Sequence, residues 1–536
     1  TGALPGFDRG KNVGAPVSPT LEGKRWATTI PRILRILDRI VSAYAPGGRV
    51  AWKKRSSKKG GRPAGYKPNK VVIPDAVKNL CPRQREVFFH SNVLIDRETA
   101  QFCLSLCLTL FESFPRFFEQ ISFGDQISLV ETVKEWPKAD FVKRAKALTV
   151  WGFARLMKQD LPDVPNPAEC RNLGFKRSAA HWIRPLFVRR SNPRNVHFFW
   201  SLLQGTKRGC APINSEFIEQ AYEKHKNALT KPKPETSFDD TDAWRFGRKL
   251  FKGARSSSET PLPNFSASYR STRREGGKIA EIRKYARSEE IGMTYVGDEL
   301  RRVSGSVLTT DEAVSHYLQS EDRMKTRVQL VVEPLKARPI TAGSALGGWA
   351  SMRAQREMWN HLFRLDQCKL IGEPLEPKHI EWLDSQSPKE FDFWVSGDYS
   401  AATDNLDIAL TKRLFEAFLY WRPYSEDFET VLREMLYEQD LDYPHDGSTV
   451  HQTNGQLMGS PLSFPILCAA NLFGYWRTYK TYFGREPKIH EMPVLVNGDD
   501  ILFKANHEFY RLWQLELKKI GFELSVGKSY FSKCFL

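Results

Sequence analysis

The stretch Pro493-Val494-Leu495-Val496-Asn497-Gly498-Asp499-Asp500-Ile501-Leu502-Phe503 constrains this chain more than any other. Two apolar runs flank Asn-Gly, the strongest short hairpin signal, so a β-hairpin is predicted here. A hairpin explains the runs and the turn but not two aspartates set against it. Unit like charges about 4 Å apart at an effective dielectric near 20 repel by about 4 kcal/mol, so such a pair favours bound cations. Neighbours on a strand face opposite sides, so Asp499 and Asp500 are expected to contribute unequally, one binding metal directly and the other more peripherally.

A second acidic cluster lies about 100 residues earlier. Phe391 to Asp398 reads as a strand ending in Asp398, and Leu406 to Tyr420 has helical periodicity, so Asp398 and Asp404 bracket a strand-to-helix connection. Taken alone, Asp404 fits a helix cap equally well. Two such strands side by side would gather two or three carboxylates around a pair of divalent ions. Between the clusters, Asn454 to Ser463 is rich in small residues and precedes the helix-like Phe464 to Tyr482, a pattern that lets backbone and hydroxyls approach a sugar or phosphate. Upstream, the strand-like Val328 to Val332 is followed by a segment whose alternation puts Lys336 and Arg338 on one face. That face suits a triphosphate, and a solvated edge strand is the competing reading.

With 536 residues the chain is long enough for two to four lobes, and 41% hydrophobic residues are enough to bury cores. The formal charge is +18, the sign that suits a polyanionic partner. Residues 1–80 hold 17 Lys and Arg against 4 Asp and Glu, most of that surplus, and nine basic residues fall between Arg49 and Lys70 with no acidic one. This basic arm is expected to be partly disordered, with RNA attraction, a localisation signal and a solvated linker as its open readings. Trp26 to Tyr44 has the spacing of an amphipathic helix, and residues 81–260 read as mainly helical. Cys103 and Cys107 sit one helical turn apart without a metal-ligand partner and read as buried small hydrophobes. The Pro- and charge-rich residues 229–242 look like a break, with a lobe boundary near 230–262. From Arg245 to Arg287, 12 basic residues are interleaved with Phe265, Tyr269 and Tyr285, which suits base stacking with Arg270, Arg273 and Arg274 on phosphates; a charged surface loop is the alternative. Eight scattered cysteines without a C-x-x-C pair point to a reduced, intracellular setting, and the longest apolar runs, Phe102 to Phe111 and Phe464 to Trp476, are too short to span a bilayer. The chain opens without methionine or signal peptide and stops abruptly at Leu536, so it is expected to be a fragment at both ends.

Four segments in fixed order make residues 262–536 resemble a viral RNA-dependent RNA polymerase. The Lys336/Arg338 segment resembles motif F, Asp398 to Asp404 motif A, Gly455 to Asn471 motif B, and Asn497 to Asp500 the Gly-Asp-Asp motif C. Gly521 to Ser529 resembles motif D and Phe531 to Leu536 the start of motif E. The wording of A, B and C is most similar to the ourmiavirus-like (botourmiavirus) group, with narnaviruses as the next neighbours.

The resemblance implies an α+β right-hand polymerase. Fingers over 261–390 would carry motif F, and a palm over 391–536, built on an antiparallel sheet with helices, would carry motifs A to D, with motif B bordering the fingers. The thumb is expected to be missing from the chain. Asp398, Asp499 and Asp500 would hold two Mg²⁺ or Mn²⁺ ions, and Lys528 resembles the motif D lysine that protonates pyrophosphate. Lys336 and Arg338 would grip the incoming triphosphate, with Asp404, Ser463 and Asn471 near its ribose. Asn471 departs from the pattern, since the usual motif B asparagine position is Leu467. Template RNA would run past Ser266 and Ser268, in a segment that looks like motif G, and past Arg270, Gly459 and Ser460. Partners are then template and product RNA, nucleoside triphosphates and viral or host replication factors, in the host cytoplasm.

Two other readings compete. A reverse transcriptase shares paired aspartates, but its motif C usually reads aromatic-x-Asp-Asp where this chain has Asn497-Gly498-Asp499-Asp500. A non-catalytic, basic RNA-binding component of a viral ribonucleoprotein fits the charge but does not call for four spaced aspartates. Gly521 to Ser529 also imitates a phosphate loop, but its glycines are spaced by five residues instead of four and a helix-like stretch precedes it, which excludes an ATPase reading. If the basic arm attracts RNA, deleting residues 49–70 lowers the slope of log affinity against log salt by about 0.7 for each phosphate that the arm neutralises, read by RNA-binding titrations at several salt concentrations.

Overall fold

The computed structural model describes residues 215–231, 237–257, 261–296, 299–333, 336–525 and 529–533, all within one of the two units into which the chain divides. The basic arm, the helix expected over Trp26 to Tyr44, Cys103, Cys107, Lys528 and the last three residues lie outside the described residues. Helices α1 (Ser215–Leu229), α2 (Asp240–Leu250) and α3 (Gly277–Ile282) precede a two-stranded hairpin of β1 (Arg287–Val296) and β2 (Glu299–Val307). Helix α4 (Thr310–Leu318) leads into β3 (Lys325–Glu333), β4 (Lys336–Ala342), α5 (Ala345–Leu362) and α6 (Pro377–Gln386). Then come β5 (Phe393–Gly397), α7 (Ala402–Asn405), α8 (Ile408–Trp421), α9 (Glu426–Tyr437), β6 (Asp440–Tyr443) and β7 (Ser448–His451). Helix α10 (Ser463–Phe483), the hairpin β8 (Val494–Asn497) and β9 (Asp500–Ala505), α11 (His507–Lys519) and β10 (Tyr530–Ser532) complete a mixed α+β fold.

Two four-stranded sheets organise it. One has the order β10-β5-β9-β8 and is antiparallel throughout; the other, β4-β3-β6-β7, contains one parallel pair, β3 with β6. In β9 the inward residues Ile501, Phe503 and Ala505 alternate with more exposed ones, as expected of a strand covered on one face. The cover is α10 and α11: Phe503 meets Tyr475 edge-on at 5.2 Å and Trp513 at 5.0 Å.

Helix α10 is buried nearly all round, from Pro465 through Trp476, which explains why its sequence is a continuous apolar run with no polar face. Its far side packs on α2, where Phe246 lies 5.5 Å from Phe473 and 5.6 Å from Trp476. The acidic residues read as part of a break therefore do something else. Asp239 caps α2, accepting from the Thr241 N–H at 2.9 Å, and Asp242 is a buried carboxylate held by Arg477 and by Lys480 at 2.7 Å. Charge density alone did not distinguish a helix start from a linker, because both favour aspartate. Among the described residues, no helix is long and apolar enough to cross a membrane.

Trp476 is fully enclosed, with its indole N–H donating to the Pro487 carbonyl at 3.3 Å. Trp476→Ala is expected to lower stability by about 3–5 kcal/mol, read as a shifted midpoint in urea unfolding followed by far-UV circular dichroism.

Candidate active site

The expected hairpin forms, but its turn is displaced by one residue. Asn497 pairs with Asp500, leaving Gly498-Asp499 as the two-residue loop. Gly498 adopts φ +67°, the left-handed value that a two-residue hairpin requires at its first loop position, and the following aspartate does not. Asp499 thus sits at the tip, half-buried, and Asp500 is the exposed first residue of β9.

Strand β5 lies antiparallel beside β9, with Gly397 opposite Ile501. The next step along that register brings Asp398 level with Asp500, on strands about 5 Å apart. The three carboxylates therefore converge on one end of the sheet. Tyr399 senses all of them: burial first, then the charges of Asp499, Asp500 and Asp398, drive its hydroxyl well above the usual tyrosine range. Tyr530 on β10 is pushed up to about 12 by burial and by Asp398. Three hard oxygen donors at one strand end are a donor set suited to a divalent cation. Among the described residues, the trio whose ligand atoms already lie within 4.8 Å of one another is a different one, Glu223, His445 and Asp446, and its Asp446 is paired with Lys226 at 2.9 Å.

Asp398 is held from the side of the Gly521 to Ser529 segment. The Ser525 N–H donates to the Asp398 carbonyl at 2.8 Å, and Ser529 Oγ both donates to that carbonyl at 3.0 Å and accepts the Asp398 N–H at 3.2 Å. Sequence reasoning missed both serines, since nothing local in the chain links residues 525–529 to residue 398. It also missed Tyr399, although alternation after Asp398 puts that side chain inward.

The other candidates divide. Lys336 and Arg338 lie on β4, two residues apart and so on one face, paired with Glu333 and Val331 of β3. Asp404 is inside α7, and the cap of the next helix is Asp407, which accepts from the Ala409 N–H at 2.7 Å; the helix-cap reading belongs to Asp407. Gly459 docks on β4: its N–H donates to Thr341 Oγ1 at 2.8 Å, and a Cβ there would run into the Thr341 carbonyl oxygen, so only glycine fits. Ser460 keeps a buried hydroxyl with no hydrogen-bond partner. Five expectations of ligand contact meet side chains engaged within the protein. Asn471 is fully buried and bonded to Tyr399 and the Gly498 carbonyl. Ser463 is buried and donates to the Leu457 carbonyl at 2.8 Å. Ser268 is buried against Glu281, and Arg270 pairs with Asp322. Ser266 is exposed and bonded to Asn264. Of the interleaved aromatics, Phe265 is exposed, whereas the Tyr269 hydroxyl donates to Asp442 at 2.6 Å and Tyr285 packs on the core beside His316.

No family model matches the chain. The chain is 28% identical over 430 residues to the RNA-dependent RNA polymerase of Ourmia melon virus (isolate Melon/Iran/VE9), covering 72% of this chain and 49% of that protein. It is 29% identical over 147 residues to the RNA-directed RNA polymerase of Saccharomyces 23S RNA narnavirus, covering 26% of this chain and 15% of the relative. The chain thus spans about half the length of the first relative and less of the second. The RNA-dependent RNA polymerase of a human picorbirnavirus aligns over 61% of each chain with 13% identity and a TM-score of 0.43. The similarity read from the motifs, to ourmiaviruses and then narnaviruses, is the one these curated relatives carry.

Asp404 gives the site a pH signature. Burial pushes its carboxyl up to about 6, against an opposing hydrogen bond from Thr403 and the charge of Lys224. A raised folded-state value means that this group stabilises the fold below its ordinary value of 3.8 and that the contribution is lost as pH rises through about 6. Asp404→Asn, which mimics the protonated form, is expected to be more stable than the parent by about 2–3 kcal/mol at pH 7.5 and nearly equal to it at pH 4, in unfolding curves at both pH values.

Proposed function

We propose that this chain, whose curated relatives are viral RNA-dependent RNA polymerases, extends RNA on an RNA template from nucleoside triphosphates. The observation that carries the reading is the convergence of Asp398, Asp499 and Asp500 at one end of the β5–β9 ladder. In this reading residues 261–390 form the fingers and 391–536 the palm, with β5, β8, β9 and β10 backed by α10 and α11 in the palm, and β6 and β7 of the 391–536 stretch joining β3 and β4 in the fingers sheet.

Asp398 and Asp499 would hold two Mg²⁺ or Mn²⁺ ions, with Asp500 supporting from the exposed side. The chemistry such ions supply in a carboxylate set is activation of the attacking 3′-hydroxyl and neutralisation of the leaving pyrophosphate. The protein's own part is positioning and charge. Lys336 and Arg338, presented on one face of β4, bind the triphosphate. Asp404 lies in the connection between the acidic strand end and α8, where its carboxylate can accept a hydrogen bond from a ribose hydroxyl. The unpartnered Ser460 hydroxyl and the Gly459 backbone line the template path, with Ser266 and Arg270 further along it. Lys528 supplies the proton to pyrophosphate. Asn471, Ser463 and Ser268 take structural roles in this scheme because they are buried with their polar atoms engaged, whereas Arg270 and Ser266, though paired with Asp322 and Asn264, stay exposed. Template and product RNA, nucleotides and viral or host replication factors are the partners, and the host cytoplasm is the setting.

Asp499→Ala is expected to reduce RNA primer extension with Mg²⁺ by at least about 10³-fold, more than about 4 kcal/mol of transition-state stabilisation, while RNA affinity measured by filter binding changes little. Equal extension by the variant and the parent would remove the reading.

A further inference from the structure

Tyr399 follows Asp398 directly and turns inward. Its ring is enclosed, stacked on Phe522 at 4.5 Å with a 9° interplanar angle and set against Trp513 at 6.4 Å. Its hydroxyl donates to Asn471 Oδ1 at 2.6 Å. On the other side of the same amide, Asn471 Nδ2 donates to the Gly498 carbonyl at 3.0 Å, with a longer 3.5 Å approach to the Asp500 carbonyl. Those carbonyls belong to the two residues that flank Asp499. One helical turn earlier on α10, Cys468 Sγ accepts the Gly498 N–H at 3.2 Å.

The orientation of the amide follows from its partners. A carbonyl only accepts, so Nδ2 must face the turn, and the remaining Oδ1 needs a donor, which the Tyr399 hydroxyl provides. The acidic strand end and the acidic turn are thus joined twice: by the β5–β9 ladder and by a buried side-chain relay that crosses behind it. The ladder sets strand spacing. It does not fix the turn, because Gly498 and Asp499 lie beyond the last paired residues, Asn497 and Asp500.

Resting on the polymerase reading above, we propose that Tyr399 and Asn471 are positioning residues that act in series: the Tyr399 hydroxyl orients the Asn471 amide, and the amide fixes the turn bearing Asp499 relative to Asp398. Neither side chain touches substrate. Their effect is on how well the carboxylates are pre-arranged for a divalent cation, the same relation by which groups behind a metal's ligands tune its affinity.

The test is Mn²⁺ binding to the full chain without RNA or nucleotide, followed by the loss of the free-ion electron paramagnetic resonance signal. Tyr399→Phe keeps the ring and its stacking and removes only the hydroxyl. It is expected to weaken Mn²⁺ binding about tenfold, and Asn471→Ala by at least as much. Because the two act in series, the double variant should bind no more weakly than Asn471→Ala, a non-additivity that two independent packing defects would not produce. Asp499→Ala is the reference and should lose the binding. Parent-like binding by Tyr399→Phe alongside loss in Asp499→Ala would overturn the relay and leave the polymerase reading standing; additive single effects would also overturn it. Parent-like binding by Asp499→Ala would overturn the polymerase reading and the relay with it. Should Asn471→Ala fail to fold, shown by its melting curve, the Tyr399→Phe comparison decides alone.

Discussion

Gathering three like charges at one end of a sheet is unfavourable, and the rest of this structure is arranged to hold them there. Asp398 and Asp500 each lie one residue beyond the last β5–β9 pair, Gly397 with Ile501, and Asp499 is carried to the same end by a two-residue turn that only a positive φ at Gly498 permits. Repulsion between the side chains acts to splay these segments. Against it stand the main-chain ladder, the two serines that grip the Asp398 backbone and the Asn471 amide behind the turn. None of these devices neutralises the charge. They fix the backbone, which in the polymerase reading pre-arranges the carboxylates for a divalent cation.

That rigidity has an apolar backing. Helix α10 passes behind the sheet with almost every residue buried, and the same helix supplies Cys468 and Asn471 to the turn. Burial pushes the Cys468 thiol up to about 12, with the charge of Asp499 adding to the shift, so it acts as a neutral acceptor for the Gly498 N–H. The packing of Phe246 and Phe473 on Trp476 then ties α10 to α2, which is far away in sequence. A defect in this layer would reach the acids through one helix.

Much of the acidic sheet was legible in the chain. Asp398, Asp499 and Asp500 stood out because carboxylates next to Val, Leu and Ile runs contradict local patterning and so need a reason, and the alternation of β9 was readable for the same cause. The shift of the turn from Asn497-Gly498 to Gly498-Asp499 was not, because both registers place a glycine in the loop and only the pairing partner decides. The internal hydrogen bonds of Asn471, Ser463 and Ser268 were not legible in the chain. A polar residue near a motif looks available, and whether its hydrogen bonds are already satisfied depends on groups distant in sequence, such as Tyr399 or Glu281. Within the break read over residues 229–242, only the partners Arg477 and Lys480 show that the Asp242 charge is internal.

The basic strand β4 and the acids lie on different sheets, so something must hold the two sheets in a set relation. The loop from Thr453 to Leu462 provides it. Its first residue donates to the Leu229 carbonyl at the end of α1, Gly455 and Gln456 donate to the Leu406 and Thr403 carbonyls around α7, and Gly459 seats against Thr341 of β4 before the chain enters α10. One loop therefore touches the strand of Lys336 and Arg338, the short helix of Asp404 and the helix that clasps the Asp499 turn. Its two tight glycines are required by close backbone approach, since a Cβ at Gly455 would lie 2.5 Å from the Asp404 carbonyl oxygen and one at Gly459 nearer still to that of Thr341. A side chain at either position would push the loop off these supports. In the polymerase reading, this makes the loop the element that ties the strand of Lys336 and Arg338 to the helix behind the acidic turn.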